Sequence, residues 1–279
     1  MSIVLAVIDS SAAARPVLET AAELGRLTGH AVSAIHVRQD GTDTAELLTE
    51  RAGIPLRILD APVHEALLDA VADPDVALAV IGARATLFGR RPAGRTALHV
   101  LEYSRKPIVV VPPEAVSPAS FRRLLVPLEG TPASSQPVLD CLTDLLGADV
   151  DVVALHVFTH ETLPRMMDRP VRDLEIIGAE FLARHLPGAA RRVEFRTGPV
   201  DTRVAEVCAE EGADLIVLSW SQDAGAGRAA VIRGVLSDSK VPVLLVPVGA
   251  GAEAASPCDI PPDQRRAMGP LALAERIGT

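Results

Sequence analysis

Two stretches of this chain, APVHEALLDAVADPDVALAVIG at residues 61–82 and GPVDTRVAEVCAEEGADLIVLS at residues 198–219, align with each other without a gap. Each one opens with a Pro-Val pair, continues as a helical pattern and ends in an apolar run. A helical pattern that leads into a short, continuously apolar run predicts a helix followed by a strand buried on both faces. The same structural unit is therefore present twice, which indicates an internal duplication.

The duplication extends in both directions from this unit. IVLAVIDSS near the start returns as LLVPLEGT at residues 124–131, and RPVLETAAELG returns as QPVLDCLTDLLG. AIHV at residues 34–37 returns as ALHV at residues 154–157, and KPIVVVP returns as VPVLLVPV. The shared order of these blocks predicts two copies of one domain, residues 1–116 and 117–248.

Each copy alternates apolar runs with helical patterns, which predicts βαβ units with right-handed crossovers. The predicted fold class is α/β, with two repeated, open, five-stranded parallel sheets that carry helices on both faces, as in Rossmann-like folds. In the second copy we predict a longer helix near residues 168–186. In the first copy the predicted strands lie near residues 2–8, 31–37, 55–59, 76–82 and 107–111, and the predicted helices near 12–28, 62–72 and 95–104.

Composition limits the classes of function. The formal net charge of -9 argues against sequence-independent binding to nucleic acid or to anionic lipid. No apolar run approaches the ~20 residues of a membrane helix, and MSIVLAVIDS at the N-terminus is typical of a first strand, not of a signal peptide. We therefore expect a soluble, cytoplasmic protein.

The cysteines indicate neither a disulfide framework nor a metal site. Cys141, Cys208 and Cys258 are widely spaced and form no CxxC or Cys/His cluster. Cys141 and Cys208 lie on helical apolar stripes, so we expect both to be buried. His156 and His160 are four apart, but on a strand end and the loop after it, so no metal bound by protein ligands is predicted.

The sequence resembles the universal stress protein family in its tandem form, over roughly residues 1 to 248. The first strand ends in Asp9-Ser10-Ser11, or Glu129-Gly130-Thr131 in the second copy, where the family has Asp-Gly-Ser. The second strand ends in His36-Val37 or His156-Val157, and each copy closes with a Pro-apolar strand. The resemblance implies an adenine nucleotide alpha hydrolase-like fold with strand order 3-2-1-4-5. It also implies that the closing strands pair between the two copies, and that the two strand-end histidines are structural.

Within that resemblance, IGARATLFGRRPAGRT at residues 81–96 is the candidate phosphate loop. ATP-binding members carry Gly, two residues, Gly, nine residues, Gly, then Ser or Thr. Here Gly82 fits, Ala85 replaces the second glycine, and Gly94 follows after eight residues. Four arginines can compensate, because guanidinium groups bind phosphate bidentately. The alternative is a solvated basic loop in which the glycines only turn the chain.

The resemblance places this loop beside the end of the first strand, at the point where the strand order reverses and open α/β sheets bind ligands. Asp9 and Val37 are expected at the adenosine end of ATP or a related adenine nucleotide. The candidate binding residues are Asp9, Ser10, Ser11, Val37, Gly82, Arg84, Gly94, Arg95 and Thr96.

The second copy departs further from the motif. Ser219 occupies the first glycine position, Ala229-Ala230 replace Gly94-Arg95, and the loop is two residues shorter. We expect Trp220 to cover a sheet edge or to fill the crevice. A nucleotide is therefore predicted once per chain, in the first copy.

Three functions follow. The first is a regulatory stress-response protein that binds adenine nucleotide in its N-terminal domain. The second is a nucleotide-free module of the same fold that acts by dimerisation and by docking protein partners. The third is an ATP-hydrolysing enzyme, which the sequence does not support because no nucleophile or second acid accompanies Asp9 or Glu129.

Residues 249–279 are predicted to be a mobile tail, because their composition offers few core residues to offset the entropy of ordering. Residues 112–120, PPEAVSPAS, are the predicted linker. Truncation after Val248 should leave the melting temperature nearly unchanged in a thermal unfolding experiment. A drop of many degrees would show that the tail docks on the body.

Overall fold

The fold was determined as a computed structural model, which describes residues 2–11, 13–38, 42–83, 95–112, 115, 120–145, 150–158, 171–222 and 228–248. The first half contains β1 (Ile3–Ile8), α1 (Ala14–Thr28), β2 (Ala31–Val37), α2 (Thr42–Ala52), β3 (Leu56–Leu59), α3 (Val63–Ala72), β4 (Val76–Gly82), α4 (Arg95–Tyr103) and β5 (Ile108–Val111). The second half contains β6 (Arg123–Pro127), α5 (Pro132–Leu145), β7 (Asp151–Phe158), α6 (Val171–His185), β8 (Arg192–Thr197), α7 (Val200–Glu211), β9 (Leu215–Trp220), α8 (Arg228–Asp238) and β10 (Val243–Pro247). The predicted strands of the first copy are confirmed, and the predicted tail lies outside the described residues.

Helix α2 is an element that the sequence analysis missed. Its only buried positions are Ala45 and Thr49, and Leu47 is exposed. The Thr49 hydroxyl donates a hydrogen bond to the Ala45 carbonyl, 2.9 Å away, within the helix. An amphipathic helix is recognised by a broad apolar stripe, and α2 lacks one, so its sequence gives little helical signal.

The strands form one continuous sheet of ten, in the order β3-β2-β1-β4-β5-β10-β9-β6-β7-β8. Each half has the order 3-2-1-4-5 that the resemblance implies, and within each half all neighbouring strands are parallel. The two predicted five-stranded sheets are thus joined into one, because the halves share hydrogen bonds.

The joint between the halves is the antiparallel pair β5–β10. Val110 pairs with Val243, Val109 with Leu244, and Ile108 with Leu245. This pairing confirms that the closing strands meet. It removes two apolar sheet edges that would otherwise be open to pairing with other chains.

Both faces of the sheet carry a core that runs across the joint. On one face, side chains of α3 and α4 join those of α7 and α8 in a single buried cluster. On the other face, α1 and α2 share a cluster with α5. Val109, Val243 and Leu244 are each fully buried. The joint therefore lies inside the hydrophobic core and is not a solvent-exposed domain boundary.

Neither of the two described cysteines, Cys141 and Cys208, forms a disulfide bond. Cys208 is buried as predicted, and burial, with a smaller contribution from the charge of Asp214, raises the pKa of its thiol to about 11. Cys141 is half-buried instead of buried.

In the parts of the chain that the structure describes, no helix is long and apolar enough to cross a membrane.

We predict that the two halves unfold together. Leu244→Ala, at a fully buried position of the joint, should lower the free energy of unfolding by about 2–5 kcal/mol, because it removes buried methyl groups and leaves a cavity. Urea unfolding followed by Trp220 fluorescence, which reports on the second half, should coincide with the loss of helix measured by circular dichroism. Two separated transitions would contradict a shared core.

Candidate functional site

Each half has a crevice where its strand order reverses, between β1 and β4 in the first half and between β6 and β9 in the second. Neighbouring parallel strands end at the same edge of a sheet, and ligands of open α/β sheets bind beyond these carboxyl ends. We call the two sites the first crevice and the second crevice.

Three predicted residues meet at the first crevice. Ile8 pairs with His36 across β1 and β2, and Val7 pairs with Ile81 across β1 and β4. The residues that follow these pairs, Asp9, Val37 and Gly82, therefore lie at one edge of the sheet. The structure brings together the strand-end residues that the sequence analysis selected.

The turn after β1 fixes Asp9. Its Oδ1 accepts hydrogen bonds from the Ser11 backbone N–H at 2.9 Å and from the Ser11 hydroxyl at 2.5 Å. The Ser11 oxygen in turn accepts a bond from the Ala13 N–H at 3.2 Å, and α1 begins at the next residue. Asp9 is half-buried, while Ser10 and Ser11 are exposed. The carboxylate is thus held at the crevice by the start of α1.

Gly82 packs on the start of the same helix. A Cβ added at Gly82 would lie 3.4 Å from Val17 Cγ2 and 3.8 Å from Ala13 Cβ, which are ordinary contact distances. Packing therefore does not require glycine here, and its predicted role in phosphate approach stays a prediction.

The remaining candidates follow Gly82 in the chain. The structure begins α4 at Arg95, as predicted, so the backbones of Arg95 and Thr96 form its first turn. Arg84 and Gly94 lie outside the described residues.

The second crevice is an open cavity of about 480 Å³. Its lining includes Leu128, which follows β6, Leu155 of β7, Leu218 of β9, Phe181 of α6 and Ile232 of α8. The cavity falls within the size range of small-molecule sites, which is roughly 300–1,000 Å³.

The expectation for Trp220 is wrong on both counts. Strand β9 lies between β10 and β6, so Trp220 is not at a sheet edge, and the cavity that it lines remains open. Its indole N–H donates a hydrogen bond to the Leu101 carbonyl of α4, 2.9 Å away in the other half. The indole is thereby fixed in the joint, where it closes one side of the crevice.

Two histidines line the second crevice. His156 Nδ1 lies 2.8 Å from the Leu128 carbonyl, as His36 Nδ1 lies 3.1 Å from the Ile8 carbonyl in the first half. His185 Nδ1 lies 3.1 Å from the Ser135 hydroxyl. His36 is buried and its predicted structural role stays a prediction, whereas His156 also lines a cavity.

Burial lowers the pKa of both cavity histidines, which favours their neutral forms. For His156, burial is opposed by the hydrogen bond to the Leu128 carbonyl. For His185, the neighbouring charges of Arg184 and His156 lower the pKa further.

Aromatic rings connect these histidines. The ring of Phe181 lies between them, 5.1 Å from His156 and 4.6 Å from His185. Phe158 and Phe195 pack on the other sides of His156, at 4.6 and 6.3 Å. Three of the five phenylalanines in the chain therefore surround one histidine, a concentration in the second copy that could have indicated this site from the sequence.

The sequence model of the universal stress protein family matches residues 120–247. These residues form a universal stress protein domain. The first half repeats its strand order, so the tandem form fits the architecture. No curated protein sequence matches the chain.

Solved structures show the same fold over most of the chain. A universal stress protein from Archaeoglobus fulgidus is 18% identical, with a TM-score of 0.62 over 88% of this chain and 98% of that one. A functionally unknown protein from Pseudomonas aeruginosa is 13% identical, with a TM-score of 0.64 over 89% and 93%. A putative universal stress protein from the same species is 13% identical, with a TM-score of 0.63 over 88% and 93%. At these identities the likeness concerns the fold.

We predict that acid destabilises the second half through His156 and His185. An unfolded histidine has a pKa of about 6.5, and both folded pKa values are lower. Above pH 6.5 both states are neutral and stability is complete; as the pH falls below it, the unfolded chain takes up protons first and stability is lost.

Urea unfolding at pH 7.5 and pH 5.5 measures this effect, and the native chain should be less stable at pH 5.5. The double variant His156→Gln/His185→Gln should show a smaller difference between the two pH values. An unchanged difference would contradict the assignment.

Proposed function

We propose that the protein is a tandem universal stress protein that binds one adenine nucleotide, ATP or a relative of it, in the first crevice. The observation that carries the proposal is the convergence of Asp9, Val37 and Gly82 at the strand-order reversal. A carboxylate held beside an apolar strand end is suited to a ribose hydroxyl and a base, since an ionised carboxylate accepts hydrogen bonds.

The start of α4 supports the phosphate end of the site. The first N–H groups of a helix have no partner within the helix, and its dipole favours negative charge there. Helix α4 begins at Arg95 and follows β4, which ends at Gly82 in the same crevice. The intervening stretch carries Arg84, Arg90 and Arg91, which we propose supply the positive charge for the phosphates.

We propose a binding role and not a catalytic one. Asp9 already accepts two hydrogen bonds from its own turn. This arrangement suits a carboxylate that accepts hydrogen bonds from a ligand better than one that acts as a general base. Among the described residues no group of three or more His, Cys, Asp or Glu side chains could hold a metal ion. The nucleotide would then act by binding, as a regulatory ligand.

The alternative is a nucleotide-free module for dimerisation and partner docking. Two departures from the phosphate motif favour this alternative: Ala85 stands in place of the second glycine, and Arg95 stands in place of the Ser or Thr that follows the last glycine. The joint weighs against one form of it, because β5 and β10 already pair with each other and cannot pair with a second chain.

Calorimetry with ATP tests the proposal. We expect a stoichiometry near one nucleotide per chain. Asp9→Ala should weaken binding, and its counterpart Glu129→Ala in the second half is the matched control that should not. Arg84→Ala and Arg95→Ala should each cost about 1.5–3 kcal/mol for every charged hydrogen bond that they make.

Three outcomes would count against this assignment. Two nucleotides per chain would place a site in the second crevice as well. Equal losses from Asp9→Ala and Glu129→Ala would remove the distinction between the halves. Absence of ATP binding would support the nucleotide-free module.

A further inference from the structure

We infer that the second crevice is a separate binding site for an uncharged aromatic molecule that carries an O–H or N–H donor. This inference does not depend on nucleotide binding in the first crevice. It follows from the apolar surface of the cavity, from its hydrogen-bond acceptors and from the balance of its charges.

The body of the ligand would meet apolar and aromatic surface. Leu128, Leu155 and Leu218 line the cavity from the sheet, and Phe181 faces it from α6 beside the ring of His156. Aromatic rings prefer offset-stacked or edge-to-face neighbours at centroid separations of about 4.5–7 Å. A planar ring fits such a surface better than a flexible polar chain does.

The hydrogen bonds of the histidines define what the ligand must supply. Ser135 Oγ lies 3.1 Å from His185 Nδ1, and either atom can be the donor of that hydrogen bond. His156 Nδ1 faces the Leu128 carbonyl, which can only accept. In the neutral ring of His156 the proton is therefore on Nδ1, and Nε2 is an acceptor without a partner among the described residues.

Among the described residues, the charges that line the cavity cancel. Glu129 and Arg184 are the acidic and basic side chains of the described lining, and both histidines are neutral. A polyanion would find one guanidinium opposed by one carboxylate. The lining therefore favours a ligand without net charge.

In the second half, the position that corresponds to the second glycine of the phosphate motif holds a residue that contacts the joint. Gln222 stands where the first half has Ala85, and it adopts a left-handed backbone conformation with φ of 61°. Its amide donates to the Ser104 carbonyl at the end of α4. The side chain of this residue therefore ties the crevice to the joint.

Three probes of similar shape separate these features. 4-Propylphenol is uncharged and has one donor, propylbenzene lacks the donor, and 4-propylbenzoate is an anion. Calorimetry at pH 7.5 should show 4-propylphenol bound once per chain, about fivefold more tightly than propylbenzene and at least tenfold more tightly than 4-propylbenzoate. Because Trp220 is the only tryptophan and lines the cavity, its fluorescence should change with the same affinity.

Variants assign the binding to the second crevice. His156→Phe keeps a ring but removes the acceptor, so it should abolish the preference for 4-propylphenol over propylbenzene while propylbenzene still binds. Val231→Trp and Ser219→Phe should each fill the cavity and prevent binding, with circular dichroism to confirm that they fold. Asp9→Ala, in the first crevice, is the control that should leave all three affinities unchanged.

Several results would overturn the inference. They are absence of 4-propylphenol binding, equal or tighter binding of 4-propylbenzoate, a preference for the phenol that survives in His156→Phe, or loss of binding in Asp9→Ala. Displacement of 4-propylphenol by ATP that persists in Asp9→Ala would also do so, because it would make the second crevice a nucleotide site. A chain that binds no ATP but binds 4-propylphenol as described would contradict the proposed function and leave this inference standing.

Discussion

The antiparallel pairing of β5 with β10 is the interaction on which the rest of this structure depends. Each half alone would end in a closing strand of four or five apolar residues, Ile108–Val111 or Val243–Pro247, with one unpaired edge. Pairing satisfies the backbone groups of both strands and lets helices of both halves cover them. The outer edges of the sheet are then β3, which is short, and β8, where Arg192 and Arg196 form ion pairs with glutamates; short or charged edges resist pairing with other chains.

The joint also brings the two crevices into contact with the same helix. Trp220, the last residue of β9, and Gln222, two residues later, donate to the carbonyls of Leu101 and Ser104 at the end of α4. The opposite end of α4 begins at Arg95, which we propose as part of the first crevice. A ligand that moves the Trp220 indole would therefore act on the helix that carries this proposed site, and by linkage any such coupling would operate equally in both directions.

The sequence predicts the fold well and the second crevice poorly, for a physical reason. Continuous apolar runs and a duplicated order determine where strands lie, and both are local properties that can be seen in the printed sequence. The cavity instead depends on which faces of α6 and β7 turn toward each other, because Phe181 and His185 acquire their roles only by packing against His156. The error over Trp220 has the same origin, since the carbonyl that fixes its indole belongs to Leu101, 119 residues away. Helix α2 was missed for the opposite reason: it buries so little that its sequence carries no clear stripe.

Covalent duplication gives the two crevices the freedom to differ. In a symmetric dimer of identical chains, every substitution would appear in both sites. Here Gly82, Arg84 and Arg95 of the first half align with Ser219, Ser221 and Ala230 of the second. The Phe158–Phe181–Phe195 aromatic group occurs in the second half only. Both halves keep the strand-end histidine. The Nδ1 atoms of His36 and His156 each lie within hydrogen-bond distance of a carbonyl at the end of the neighbouring strand. That contact supports the crevice floor whatever ligand lies above it, so it persists in both halves while the residues around it have diverged.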